Sequence, residues 1–177
     1  MEKLQLQVRT TEGEPTIKSR NRVLFHLKHP KKGEMCMFPY QAESQSRQTL
    51  GNMGIERSDA VFKTGRRFRF VPAKWGADRR LRKEGKQVLF EAAENTGHRR
   101  NGVVWEWRNG DGELVARELF RDGELSLGVT AAMTARERDA LVAAWYLRIW
   151  WIRGEETYER PKFRDESGVA LQEWTAC

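Results

Sequence analysis

Cysteine is nearly absent, with only Cys36 and Cys177 in 177 residues. Neither belongs to a Cys-x-x-Cys or other ligand-spaced pattern, which excludes a disulfide scaffold and a cysteine zinc site and fits a reducing compartment. Long apolar runs are missing as well. Glu2, Lys3, Gln5 and Gln7 break up the start of the chain, so no signal peptide is expected. No other stretch reaches the ~20 residues of a membrane-spanning helix. Histidine is scarce, at three. His26 and His29 are spaced as His-x-x-His, but in a strand running into a turn their imidazoles point to opposite faces, with no acid or thiol beside them to complete a ligand set. His98 lies in a Gly/Asn/Arg loop with no carboxylate placed to orient it. Nucleophile-elbow, His-Glu-x-x-His and phosphate-loop patterns are lacking. Asp111, Glu113, Asp122 and Glu124 sit where hairpin turns already account for them. The sequence therefore predicts no catalytic residue, no metal and no cofactor. It reads as a soluble, intracellular, monomeric protein, cytoplasmic with membrane-peripheral or nuclear placement open, that binds rather than reacts.

Acid is also scarce, over one long stretch. Between Lys63 and Lys86 stand ten basic residues, Lys63, Arg66, Arg67, Arg69, Lys74, Arg79, Arg80, Arg82, Lys83 and Lys86, against Asp78 and Glu84. That segment is +8, while the whole chain is +7. A segregated positive field attracts phosphate-bearing partners. Each cation near an anionic leaflet contributes ~1 kcal/mol, so a few converging side chains suffice for reversible attachment. Trp75 adds an interfacial aromatic. The candidate ligand-binding residues for an anionic head group are Lys63, Arg66, Arg67, Arg69, Lys74, Trp75, Arg79 and Arg80. A nucleic-acid interface on the same face remains an alternative, because arginines beside an aromatic also suit phosphate contact and base stacking. So does a plain solvated face whose charges pair with acids elsewhere.

What is abundant is alternation. Leu4, Leu6 and Val8, then Val23, Phe25 and Leu27, give period-two strands, and Met35 to Tyr40 a third. Residues 41–53 carry little apolar content and read as a loop or short surface helix. Residues 60–63 and 67–71 read as strands, the second with Phe68 and Phe70 on one face and Arg67 and Arg69 on the other. Residues 72–86 read as an exposed basic loop or a single helical turn, and 87–91 as a strand. From Val103 to Val129 two Asn/Asp/Gly turns interrupt the alternation and predict a three-stranded meander with Trp105 and Trp107 facing inward. Thr134 and Glu137 have capping-box spacing, and the helix they open is expected to run to Ile152 and stop at Gly154.

Between Ala140 and Ile152 only Arg148 is charged. A helix apolar on every side must be enclosed, and thirteen residues span only ~20 Å, short of a bilayer core. Strands therefore enclose it, with Arg148 at the barrel mouth or on terminal carbonyls, or as an anion-binding charge at the barrel end. The predicted fold is mainly β: a closed antiparallel barrel of about twelve strands around helix 134–152. A single domain covers residues 1–154, and residues 155–177 form a tail packed on its outside. A pocket at the barrel end, serving a small-ligand carrier or an enzyme, is a third functional reading.

Trp105-Glu106-Trp107-Arg108, the Asp111-Gly112 turn, Leu114-Val115-Ala116-Arg117, Asp122-Gly123-Glu124-Leu125 and the helix opening at residues 134–142 resemble the tubby C-terminal-like fold. That fold is shared by tubby proteins, LURP-one-related proteins and phospholipid scramblases. The resemblance implies a closed barrel of about twelve strands threaded by a hydrophobic helix, and binding of phosphoinositide-like head groups. It transfers no individual ligand-contacting residue.

Overall fold

A computed structural model describes residues 8–9, 16–19, 22–29, 37–58, 65–95, 103–121, 124–157, 163–164 and 170–171. Its elements, in chain order, are β1 (Val8–Arg9), β2 (Thr16–Ser19), β3 (Arg22–Lys28), β4 (Gln41–Ser44), β5 (Asn52–Arg57), β6 (Arg67–Trp75), β7 (Leu81–Lys83), β8 (Phe90–Glu94), β9 (Val103–Asn109), β10 (Leu114–Arg121), β11 (Glu124–Val129), α1 (Ala135–Thr157), β12 (Phe163–Arg164) and β13 (Ala170–Leu171). The expected strand at 60–63 lies outside the described residues, as do Cys36 and Cys177.

Eleven strands make one antiparallel sheet that follows chain order, with β7 attached only to β6. The sheet curls around one side of α1 as a half-barrel, and β1 and β11 end it without pairing to each other. This corrects the closed twelve-strand barrel. A helix needs apolar cover over its buried arc only, and α1 is fully buried from Ala140 to Ala144 and at Leu147 and Arg148, whereas Trp145, Trp150, Trp151 and Ile152 are half-buried. A curled sheet on one side meets that demand without closing.

The core is a set of cross-strand ladders on the concave face. Leu27 pairs with Ala42 and Ala42 with Met53. Ile55 pairs with Phe70, and Phe70 with Phe90. Ala92 pairs with Trp107, and Trp107 with Ala116. All of these residues are buried against Ala140, Leu141, Ala143, Ala144 and Leu147 of the helix. Phe68 and Phe70 face inward and Arg67 and Arg69 outward, and the meander of β9, β10 and β11 forms as its turns predict. Residues 41–53 are not a loop or helix but the β4–β5 hairpin, because Ala42 and Met53 fill core positions. Residues 37–40 form a bend rather than a strand, and β8 starts at Phe90 rather than 87.

At the helix start Glu137 Oε2 accepts from Thr134 N at 2.8 Å, and Thr134 Oγ1 accepts from Glu137 N at 3.3 Å, which is the capping box. Gly154 does not stop the helix, which runs on to Thr157 and past the expected domain boundary. Its lack of a Cβ instead admits the hydroxyl of Tyr40, whose ring packs on Trp150 and Trp151.

On the convex face Phe38, Val71, Ala73 and Leu81 form a second, smaller core. The Phe38 ring lies flat on Gly54, in the space a Cβ would occupy. Gly54→Ala is expected to overpack that contact and lower stability by ~1–3 kcal/mol, read as a fall in the urea midpoint at unchanged slope. An unchanged midpoint would show that Phe38 is not held there.

Candidate functional site

The basic segment divides into three groups with different surroundings, and Lys63 lies outside the described residues. Arg66 turns to the end of the concave face, where its Nε lies 3.3 Å from Glu94 and its guanidinium stands 6.0 Å from the Trp105 ring centroid. Arg67 and Arg69 sit on the convex face and share one carboxylate, Glu91 of β8, at 2.8 and 3.2 Å. The cross-strand register creates that arrangement, because Arg69 is directly opposite Glu91. These three arginines are therefore largely neutralised by acids that lie more than twenty positions away in sequence.

The third group lies on the β6–β7 hairpin. β6 spends its second edge on two partners: residues 67–70 pair with β8, and Ala73, Lys74 and Trp75 pair with β7. On its first edge β5 reaches only as far as Ala73. Lys74, Trp75 and the following turn consequently overhang both neighbours. Within the overhang Arg82 pairs with Asp78 at 2.8 Å, and its hydrogen bond holds the Asp78 carboxyl below the usual range. Lys74 reaches Glu84 at 3.7 Å, and Lys83 reaches Glu56 at 2.8 Å. Arg79 and Arg80 are exposed and lie in no ion pair among the described residues. Trp75 stands beside them at 50% exposure.

Arg79 also has the left-handed backbone conformation, φ 57°, the one non-glycine residue among those described to do so. That conformation costs an L-residue roughly 1–2 kcal/mol relative to what glycine would pay. The structure thus brings Lys74, Trp75, Arg79 and Arg80 together at a tip. It leaves Arg66, Arg67 and Arg69 at the other end of β6, six to nine residues or ~20–30 Å from Trp75.

Arg148 is not at the barrel mouth. It is 3% exposed and its Nη2 donates to both carboxylate oxygens of Glu118 on β10, itself 1% exposed. The guanidinium lies 4.5 Å from the Trp105 centroid. The indole N–H groups of Trp107 and Trp145 face the same carboxylate without closing hydrogen bonds of ordinary geometry. Burial pushes the Glu118 carboxyl up, against the opposing pull of Arg148, and burial pushes the Arg148 guanidinium down. Glu118 was legible in principle: it alternates with Ala116 on the inward face, and a lone arginine on an apolar helix requires a counter-ion. The pair faces no solvent and holds structure rather than ligand. His29 is exposed and stands edge-on to Trp150 at 5.3 Å.

A cavity of about 500 Å³ opens at the N-terminal end of the helix, between the β7–β8 connection, the β9–β10 turn and the residues before α1. Leu89, Phe90, Val115 and Met133 give it apolar walls, and Lys86, Asp111, Glu113 and Glu137 give it charges of both signs. No helix among the described residues is long and apolar enough to cross a membrane.

Glu118→Ala is expected to destabilise by ~3–5 kcal/mol, because it strands Arg148 in the core, whereas Glu118→Leu with Arg148→Met is expected to be neutral or stabilising. The raised Glu118 pKa sets a pH dependence of definite sign. Native protein binds a proton that the unfolded chain has released above its ordinary value of 4.5, so this group's stabilisation is complete below that pH and is lost as pH rises through the native pKa. Urea midpoints against pH should show this slope in the native sequence and not in Glu118→Gln.

No family model, no curated protein and no solved structure matches this chain.

Proposed function

We propose that this protein is a non-enzymatic binding protein that engages anionic phospholipid, of the phosphoinositide-like kind, through the tip of the β6–β7 hairpin. The observation that carries the reading is the pairing pattern. Acids of β5 and β8 hold Arg66, Arg67, Arg69 and Lys83, whereas Arg79 and Arg80 have no ion-pair partner among the described residues and stand on an overhang beside a half-exposed tryptophan. Unpaired cations at a projecting tip can approach a charged plane without first breaking internal ion pairs. The left-handed Arg79 supports the same reading, since a glycine there would relieve strain and an arginine is present instead. The tubby C-terminal-like resemblance belongs to this proposal, supported by the order of antiparallel strands followed by one apolar helix. The ligand-binding group within the basic segment is then Lys74, Trp75, Arg79 and Arg80, with Arg66, Arg67 and Arg69 serving the sheet.

The cavity at the N-terminal end of α1 favours a second reading, a carrier of a small amphipathic ligand, because it joins apolar walls to a charged rim.

Co-sedimentation at low salt with vesicles of phosphatidylcholine alone, or with added phosphatidylserine or phosphoinositide, tests the first reading. Binding to the anionic vesicles only is expected, and equal binding to all of them overturns it. Arg79→Gly provides an internal check. It should raise the thermal midpoint through loss of backbone strain and weaken anionic-vesicle binding about fivefold, the value of one cation worth ~1 kcal/mol.

A further inference from the structure

We infer that the hairpin tip enters the bilayer interface as an apolar wedge instead of resting on it by charge alone, and that Trp75 and Met37 are the inserting side chains. This rests on the reading of the tip as an anionic-lipid site and specifies how the contact is made.

Two large apolar side chains stand open to water on this part of the convex face: Trp75 at 50% exposure and Met37 at 58%. They are neighbours through β7. Met37 Sδ lies 3.2 Å from the backbone N of Lys83. Lys83 is paired with Ala73, two residues before Trp75 on the same side of the strand. Both therefore border one small apolar platform, and its covered part, Phe38, Val71, Ala73 and Leu81, is buried beneath them. Leu81 lies directly across from Trp75.

Charge decides what that is. Arg79 and Arg80 lie in the turn beside the exposed indole, while Lys74 and Arg82, paired across the hairpin, project from its other face, and Asp78 is occupied by Arg82. A purely apolar protein groove would leave those cations facing nothing. An anionic bilayer presents phosphates to the cations and, a few ångströms deeper, an apolar boundary to the indole and thioether. Tryptophan prefers that depth, where its ring is buried and its N–H stays hydrated. The overhang makes such an approach sterically free, because β5 and β8 both end before Trp75.

Insertion and electrostatic adsorption differ in their response to salt. Adsorbed charge is screened as the Debye length falls to a few ångströms near molar salt, while buried apolar area is not. Native protein should therefore keep a fraction bound to phosphatidylserine-containing vesicles at high salt and should raise the surface pressure of a monolayer of the same lipids. Trp75→Ser and Met37→Ser, each checked for native far-UV circular dichroism, should bind at low salt about tenfold and about threefold more weakly. Both should lose the salt-resistant fraction, and Trp75→Phe should restore much of it. If native protein fails to select anionic vesicles at low salt, the underlying lipid reading falls. If it selects them but is fully released by salt, and Trp75→Ser binds as the native protein does without a pressure rise in either, insertion alone is overturned. Trp75-dependent capture of single-stranded DNA with no vesicle binding would overturn both in favour of base stacking.

Discussion

Arg148 has to find a counter-ion in the interior, and the position of the helix follows from that. It is the single charge between Ala140 and Ile152, and an isolated guanidinium moved from water into the core costs several kcal/mol. Glu118 supplies the match from β10, across the concave face from Leu27, Ala42 and Met53. An almost uniformly apolar helix has little else to fix its rotation, since alanine, leucine and tryptophan surfaces pack tolerably in more than one orientation. Turning α1 by one residue, ~100°, would bury two separated charges. The ion pair contributes little net stability once desolvation is subtracted, and its structural effect is to make the wrong rotations expensive.

With the helix fixed, the half-barrel follows. Trp105 and Trp107 lie in the row that faces Arg148, and Phe68, Phe70, Ile55 and Met53 extend the apolar wall across β6 and β5. The convex face is then left with the alternate residues of the same strands, which are mostly charged. Cross-strand register pairs Arg69 with Glu91 and places Arg67 within reach of it, so that face is nearly self-neutralised where strands are flanked on both sides. Self-neutralisation fails where a strand outruns its neighbours. That is the β6–β7 overhang, where a stretch already rich in basic residues runs beyond the acids of β5 and β8.

The sequence announced the parts whose signal is local. The capping box at Thr134 and Glu137, the Asn/Asp/Gly turns of the meander and the inward Trp105 and Trp107 are each written in residues a few positions apart. Features that depend on pairing between distant segments were not legible in the same way. Gln41 to Ser44 looks too polar for a strand until Ala42 is seen to sit between Leu27 and Met53. The apolar helix predicts a closed barrel, but nothing local states how much of its circumference the sheet must cover. Gly154 read as a stop because glycine usually ends helices, whereas here a tyrosine from the segment before β4 needs the space. The basic segment divides between faces of the sheet, with Arg66, Arg67, Arg69 and Lys83 paired to Glu94, Glu91 and Glu56 of other strands, and those pairings are not written in the local sequence.

Arg79 shows why the tip is unlike the rest of the surface. In a hairpin whose only task was to turn the chain, a left-handed position would favour glycine, which adopts φ 57° without steric cost. The chain does use glycine at φ 84° in the β9–β10 turn, at Gly112, where the turn only joins strands. The two hairpins thus solve the same backbone problem differently, one with a residue that has no side chain and the other with the longest cationic one. The second solution is strained by roughly 1–2 kcal/mol, and no ion pair among the described residues offsets it. That strain at the turn is a physical feature on which the proposed lipid contact of the tip rests.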